Sequence, residues 1–247
     1  MNTEYKKQQM QRFSWAETRR FLWQTGHPYV SLMEKKLLEP VADMPGERVL
    51  EVGCGEAANI INLTAISEKR QWTGADFSLE KIGFCNSHKT GTFLCADALN
   101  LPFKNNSFDT VFARDLLHHI SEIRNIAVQE MIRVCRRGGT IILIEANGKK
   151  LIYKLLSVAD RSESGLRRSN PGNMRALLQK YHGLIDYNIV MKEPSVLFRL
   201  IFHYRMGISG AGFSKLFQGA MNLMEHLAEK VCPRDRWGYM VVIAQKK

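Results

Sequence analysis

Four carboxylates set around two glycines carry the first chemical clue. Glu51 lies two positions before Gly53, and Glu56 directly follows Gly55. Asp76 and Asp97 come later, each expected at the end of a strand. Glycines after a first strand let the backbone turn sharply and approach a ligand closely. Gly53-x-Gly55-x-x-Ala58 therefore fits a dinucleotide fingerprint. A dinucleotide, however, would bring a pyrophosphate to this turn. Carboxylates beside it would cost on the order of 4 kcal/mol per pair at about 4 Å and an effective dielectric of about 20. A cationic ligand reverses that sign. Asp76 sits where an acidic side chain accepts hydrogen bonds from ribose hydroxyls, and Asp97 could meet an amino group of a base.

A second constellation is Asp115, His118 and His119. Histidine titrates near neutrality and suits proton removal from a nucleophile. His118 and His119 are the candidate catalytic residues, and Asp115 is a further one. Asp115, Glu145 and Asn147 could meet as oxygen ligands for a metal above the fourth and fifth strands, but their spacing is not diagnostic and no metal is expected.

These residues need a scaffold that brings successive strand ends together. Short apolar runs at 49–52, 72–76, 92–95, 109–113 and 140–145 alternate with helical segments at about 57–67, 79–88 and 121–135. Such alternation implies a parallel sheet with right-handed crossovers. Ser121 is the expected N-cap of the third helix, and Gly138-Gly139 its expected end. Residues 184–192 and 238–245 read as a sixth and a seventh strand. Residues 12–42 read as two helices broken at Gly26-His27-Pro28, and 173–181 as another. Two further helical segments, 196–206 and one carrying Phe213 to Val231, precede the last strand. The expected fold class is α/β: a Rossmann-like, seven-stranded, mostly parallel sheet flanked by helices. N-terminal helices and a helical insertion before the last strand are added to it. One domain over 1–247 is expected, with a helical cover at 1–45, a cofactor-binding core at 46–147, and a C-terminal part at 148–247 whose lid spans about 195–235.

Together these motifs resemble class I S-adenosylmethionine-dependent methyltransferases, in the broad group that includes ubiquinone/menaquinone-biosynthesis methyltransferases. The resemblance rests on Val49-Leu50-Glu51-Val52-Gly53-Cys54-Gly55, Gly74-Ala75-Asp76-Phe77-Ser78 and Ala96-Asp97-Ala98-Leu99-Asn100-Leu101-Pro102-Phe103. Phe108-Asp109-Thr110-Val111-Phe112, Leu117-His118-His119-Ile120 and Arg137-Gly138-Gly139 complete it, over about residues 47–146. It implies S-adenosylmethionine as cofactor, a ligand with a sulfonium and no phosphate. Glu51 would lie near the methionine end, lined by the backbones of Gly53, Cys54 and Gly55. Asp76 would bind the ribose, Phe77 flank the adenine, and Asp97 and Ala98 hold its edge. Arg114 would contact the methionine portion through its carbonyl. One departure is Ala57, where many members carry glycine.

The chain has 247 residues with 45% hydrophobic and 24% charged, which excludes a disordered or collagen-like protein. Its net charge of +11 favours anionic partners. Five cysteines without C-x-x-C spacing argue against a disulfide framework. A polar start and the lack of a long apolar run point to a cytoplasmic protein without a membrane span. The Asn/Asp-Pro-Pro-aromatic motif of nucleobase amino-methyltransferases is missing from 113–119, so a nucleic-acid acceptor is disfavoured. A small-molecule or lipid-like acceptor is expected, and a basic rim would suit phosphate, carboxylate or an anionic membrane surface. Two other readings stay open: a non-catalytic methyltransferase-like partner subunit, and a nicotinamide-dependent oxidoreductase.

Overall fold

The computed structural model describes residues 15–67, 70–193, 202–203 and 218–247. Its centre is a seven-stranded sheet in the order β3-β2-β1-β4-β5-β7-β6. The strands are β1 (Arg48–Val52), β2 (Gln71–Asp76), β3 (Thr92–Cys95), β4 (Phe108–Arg114), β5 (Cys135–Ala146), β6 (Ile185–Lys192) and β7 (Tyr239–Lys246). β1 to β5 pair in parallel, and β7 inserts antiparallel between β5 and β6. The expected α/β class and mostly parallel sheet are observed.

Alternation along the strands splits the core into two layers. Leu50, Ile141 and Leu143 face one side, against helices α5 (Arg124–Val134) and α7 (Pro171–Leu178). Val49, Ile142 and Ile144 face the other, against α2 (Pro28–Ala42), α3 (Ala58–Thr64) and α4 (Leu79–His88). Both faces are covered, which is why β5 reads as an unbroken apolar run. α1 (Thr18–Gly26) precedes α2, and Pro28 opens α2 at its first turn, where a missing N–H costs nothing. α6 (Leu151–Ala159) and α8 (Gln218–Val231) complete the α-helices of the described residues, and a 3-10 helix covers Arg161–Arg168.

Two local expectations are corrected. Ser121 does not cap α5. The helix begins at Arg124 after Ile123, because turns closed by His119 N–H to Leu116 O and Ile123 N–H to Ile120 O occupy the segment before it. Gly138-Gly139 does not end α5 either. The helix stops at Val134, and the glycines lie within β5, where the pairing slips between Phe108 and Thr110. The expected 196–206 segment and the first part of the 213–231 segment lie largely outside the described residues; α8 is the portion seen.

Candidate functional site

The β1 loop folds as its glycines require. Gly53 has φ +75°, with Leu116 packed where a side chain would otherwise go. The N–H groups of Gly53 and Cys54 both donate to the Ala75 carbonyl, fastening the loop to the end of β2. Asp76 completes the fastening. Its Oδ2 accepts Gly55 N–H and its Oδ1 accepts Ser78 N–H, both at 2.9 Å. Each oxygen keeps a free lone-pair direction for a ligand hydroxyl. Asp97 Oδ1 accepts Leu99 N–H at 3.0 Å in the same manner. Ala57, just before α3, adopts φ +61°. That left-handed conformation costs an alanine on the order of 1 kcal/mol and explains why glycine is common there in the family.

A cavity of about 500 Å³ opens above these strand ends. Of the nine expected cofactor residues, Gly53, Cys54, Gly55, Asp76, Phe77, Asp97, Ala98 and Arg114 line it. Glu51 does not. It is fully buried behind the wall, where its Oε1 accepts Asn59 Nδ2–H at 2.6 Å. Asn59 faces the cavity and also accepts a bond from Arg114 Nη1 at 2.9 Å. Burial pushes the Glu51 carboxyl up to about 8, against the pull of Asn59 and Arg114. Burial thus opposes the charge expected of Glu51.

The charge of Glu56 is also committed elsewhere. Burial alone would raise its pKa, but Arg20 and Lys81 hold it below the ordinary value. Arg20 donates to Oε2, Lys81 Nζ stands 4.0 Å from Oε1, and Glu17 N–H donates to Oε1 at 2.9 Å. Arg114 is buried and ion-paired with Glu34 of α2. Glu56 is thus matched by cations, and Asp76, Asp97 and Asp115 bring further carboxylates to the cavity wall. Asn59, Arg20, Lys81 and Glu34 were missed by the sequence reading. Their partners lie 8 to 80 residues away, and no local pattern marks such pairs.

The two histidines part company. His119 lines the cavity and His118 does not. Glu145, at the end of β5, accepts the N–H groups of Leu116 and Leu117 at 3.0 and 2.7 Å and faces His118 Nδ1 at 2.8 Å. His118 Nε2 stands 3.5 Å from Glu163 of the 3-10 helix. Gly165 brings that helix in: a Cβ there would fall 1.7 Å from the His118 carbonyl oxygen. Burial opposes charge on His118, but Glu145 and Glu163 outweigh it and raise its pKa to about 10. His119, its ring 4.0 Å away, is driven down to about 3 by burial and by the charge on His118.

Asp115 also lines the cavity, with φ +48°. It accepts Ala146 N–H at 3.3 Å and Tyr239 O–H at 3.1 Å. Of the residues weighed for a metal, Asp115 and Glu145 do approach one another near His118, and those oxygens carry the hydrogen bonds just described. Asn147 is turned away, donating to Asp235 O and Trp237 O.

The relatives fit this site. Residues 50–143 match the family described as "Methyltransferase domain". A phthiotriol/phenolphthiotriol dimycocerosates methyltransferase from Mycobacterium tuberculosis is 35% identical over 188 residues, 72% of this chain and 67% of that one. The chain belongs to the class I S-adenosylmethionine-dependent methyltransferases. A demethylmenaquinone methyltransferase from Desulfitobacterium hafniense is 31% identical over 119 residues, 45% of this chain and 47% of that protein. The matched region thus spans under half the length of several curated relatives. A SAM-dependent methyltransferase of Thermotoga maritima, a possible histamine N-methyltransferase, shares the fold at TM-score 0.65 and 16% identity, covering 97% of this chain and 99% of that one.

Proposed function

We propose that the chain transfers a methyl group from S-adenosylmethionine to a small-molecule or lipid-like acceptor held in the 500 Å³ cavity. The observation that carries this reading is the convergence of Gly53, Gly55, Asp76 and Asp97 on one cavity wall from three successive strand ends. The donor set fits the cofactor. Asp76 and Asp97 offer acceptor oxygens to hydroxyl and amino groups, and Phe77 offers an apolar face. Gly53 and Gly55 leave room for close approach. Bound there, S-adenosylmethionine supplies an activated methyl carbon.

This chain's own residues have the remaining tasks of aligning the nucleophile and excluding water. Leu99, Leu116, Ile120 and Ile123 give the cavity an apolar side suited to a lipid-like acceptor. Lipid and quinone acceptors named among the relatives support the same class. His119, not His118, is assigned the proton-accepting role. It faces the cavity, and burial and the charge on His118 favour its neutral form, which can accept a hydrogen bond from a nucleophile. With its basicity lowered, it is suited to orienting a nucleophile's O–H or N–H and taking the proton only as the methyl group arrives, not to removing the proton beforehand. His118, Glu145 and Glu163 position it. The test is transfer of labelled methyl from S-adenosylmethionine into a lipid extract and into a polar metabolite extract. Label in an organic-soluble product supports the reading, and a purely non-catalytic partner subunit would leave both extracts unlabelled.

A further inference from the structure

α6 is built inside out. Of its nine residues only Ser157 is buried, while Leu151, Leu155, Leu156 and Val158 are 70%, 57%, 40% and 71% exposed. α8 repeats the pattern, with Met221 buried and Leu223, Met224, Leu227 and Val231 exposed. The start of α6 adjoins the end of α8: Lys149 Nζ lies 3.3 Å from Asp235, and Asn147 Nδ2 donates to the Asp235 carbonyl. Eight large apolar side chains are therefore exposed on two helices whose flanking loops meet. A soluble monomer seldom exposes so much apolar surface without a use for it.

We infer that the outward faces of α6 and α8 dock the chain on an anionic lipid bilayer. Two chemical features choose this occupant. Neither helix meets the length and hydropathy needed to cross a membrane, but short amphipathic helices lie well in the headgroup boundary. The charges flanking the apolar side chains also favour it. Lys149, Lys150 and Lys154 flank α6, and Lys230, Arg234 and Arg236 flank the end of α8. Against these stand Glu225, Glu229 and Asp235 on the α8 side and only Asp160 on the α6 side, so the excess of positive charge lies along α6. Asp160 accepts Ser162 N–H, Glu225 meets Tyr29 O–H, Glu229 pairs with His226, and Asp235 pairs with Lys149. A second copy of this chain would set one net charge of +11 against another, whereas an anionic bilayer offers both an apolar phase and the opposite charge.

The docked face also leads inward. Tyr153 of α6 packs edge-on to Tyr239, whose hydroxyl bonds Asp115 on the cavity wall. An acceptor partitioned into the bilayer would thus lie one helix thickness from the cavity. The docking claim itself does not depend on methyl transfer.

Co-sedimentation with phosphatidylcholine vesicles, with and without a third phosphatidylglycerol, tests it. Binding is expected only to the anionic vesicles and should weaken as salt is raised. The exposed double variant Leu151→Glu/Leu155→Glu should bind at least about tenfold more weakly, since each leucine contributes more than 1 kcal/mol when buried. Lys154→Glu should weaken binding less. Unchanged sedimentation of the double variant overturns the proposal, as does no binding by the parent chain. A parent dimer that the double variant abolishes, seen by light scattering, assigns the face to self-association and also overturns it. Titration of each protein with S-adenosylhomocysteine serves as a folding control. Vesicle binding without nucleoside binding would count against the proposed reaction and leave the docking claim standing.

Discussion

The donor side and the acceptor side of the cavity are built from different materials. On the donor side, Asp76 and Asp97 are held by backbone N–H groups within a few residues or one strand away. On the acceptor side, His118 is held by side-chain charges from β5 and a 3-10 helix, and Arg114, which the donor side shares through Asn59, by a charge from α2. Backbone fastening is neutral and short-ranged, so it tolerates a change of one carboxylate. A buried ion pair does not, because removing one partner strands the other charge.

The largest effect should come from the donor side in binding. Asp76→Ala is expected to weaken S-adenosylhomocysteine binding about a hundredfold or more, from the loss of charge-assisted bonds, as read by calorimetric titration. The same change should alter stability far less than the next one. Glu34→Ala leaves Arg114 buried with Asp115, 3.6 Å from its Nε, as the remaining carboxylate and should cost about 3 kcal/mol of unfolding free energy, the low end for a broken buried pair, measured in urea. A smaller loss would mean that the acceptor side is not held by charge.

Next comes pH. His118 has a folded pKa raised from 6.5 to about 10, so its contribution to stability is complete below about 6.5 and is lost as pH rises toward 10. His118→Gln should remove that decline between pH 7 and 10. It should also raise the pH at which His119 takes up a proton, while burial, the larger cause, keeps that pH below the ordinary histidine value; imidazole NMR shifts would report the change directly. An unchanged His119 titration in that variant would show that burial alone, without the neighbouring charge, suppresses it. Glu51 on the donor side gives a dependence of the same sign at lower pH. Its pKa is raised to about 8, so the folded chain holds a proton that the unfolded chain has released, and its burial costs more stability as pH climbs from 4.5 to 8. Glu51→Gln should therefore raise Tm at pH 8 and leave it nearly unchanged at pH 4.5. The smallest effect is Ala57→Gly: relief of the left-handed backbone against the loss of a buried methyl should keep the change within about 1 kcal/mol.

The same contrast governs what could be read from the sequence. The donor side is local: a strand, a turn with glycines and an acid at the next strand end are all patterns of period and spacing. Gly53, Gly55, Asp76 and Asp97 could be named for that reason. The acceptor side and the charge balance depend on pairings such as Arg114 with Glu34 and Arg20 with Glu56, which only the fold creates. Spacing could not show that Glu51 is shut behind the wall or that Glu56 is matched by Arg20 and Lys81. α6 went unread because its leucines turn outward instead of marking a core-facing stripe. Ser121 was misread as a cap because Glu145 takes the Leu116 and Leu117 N–H groups and holds the segment before α5 in turns.

The central claim is that the cavity above β1, β2 and β3 receives the nucleoside. Crystals grown with S-adenosylhomocysteine test it most directly. The ribose should lie against Asp76 and the adenine edge against Asp97. Density for the nucleoside at any other place, or an empty cavity at saturating concentration, would contradict the account.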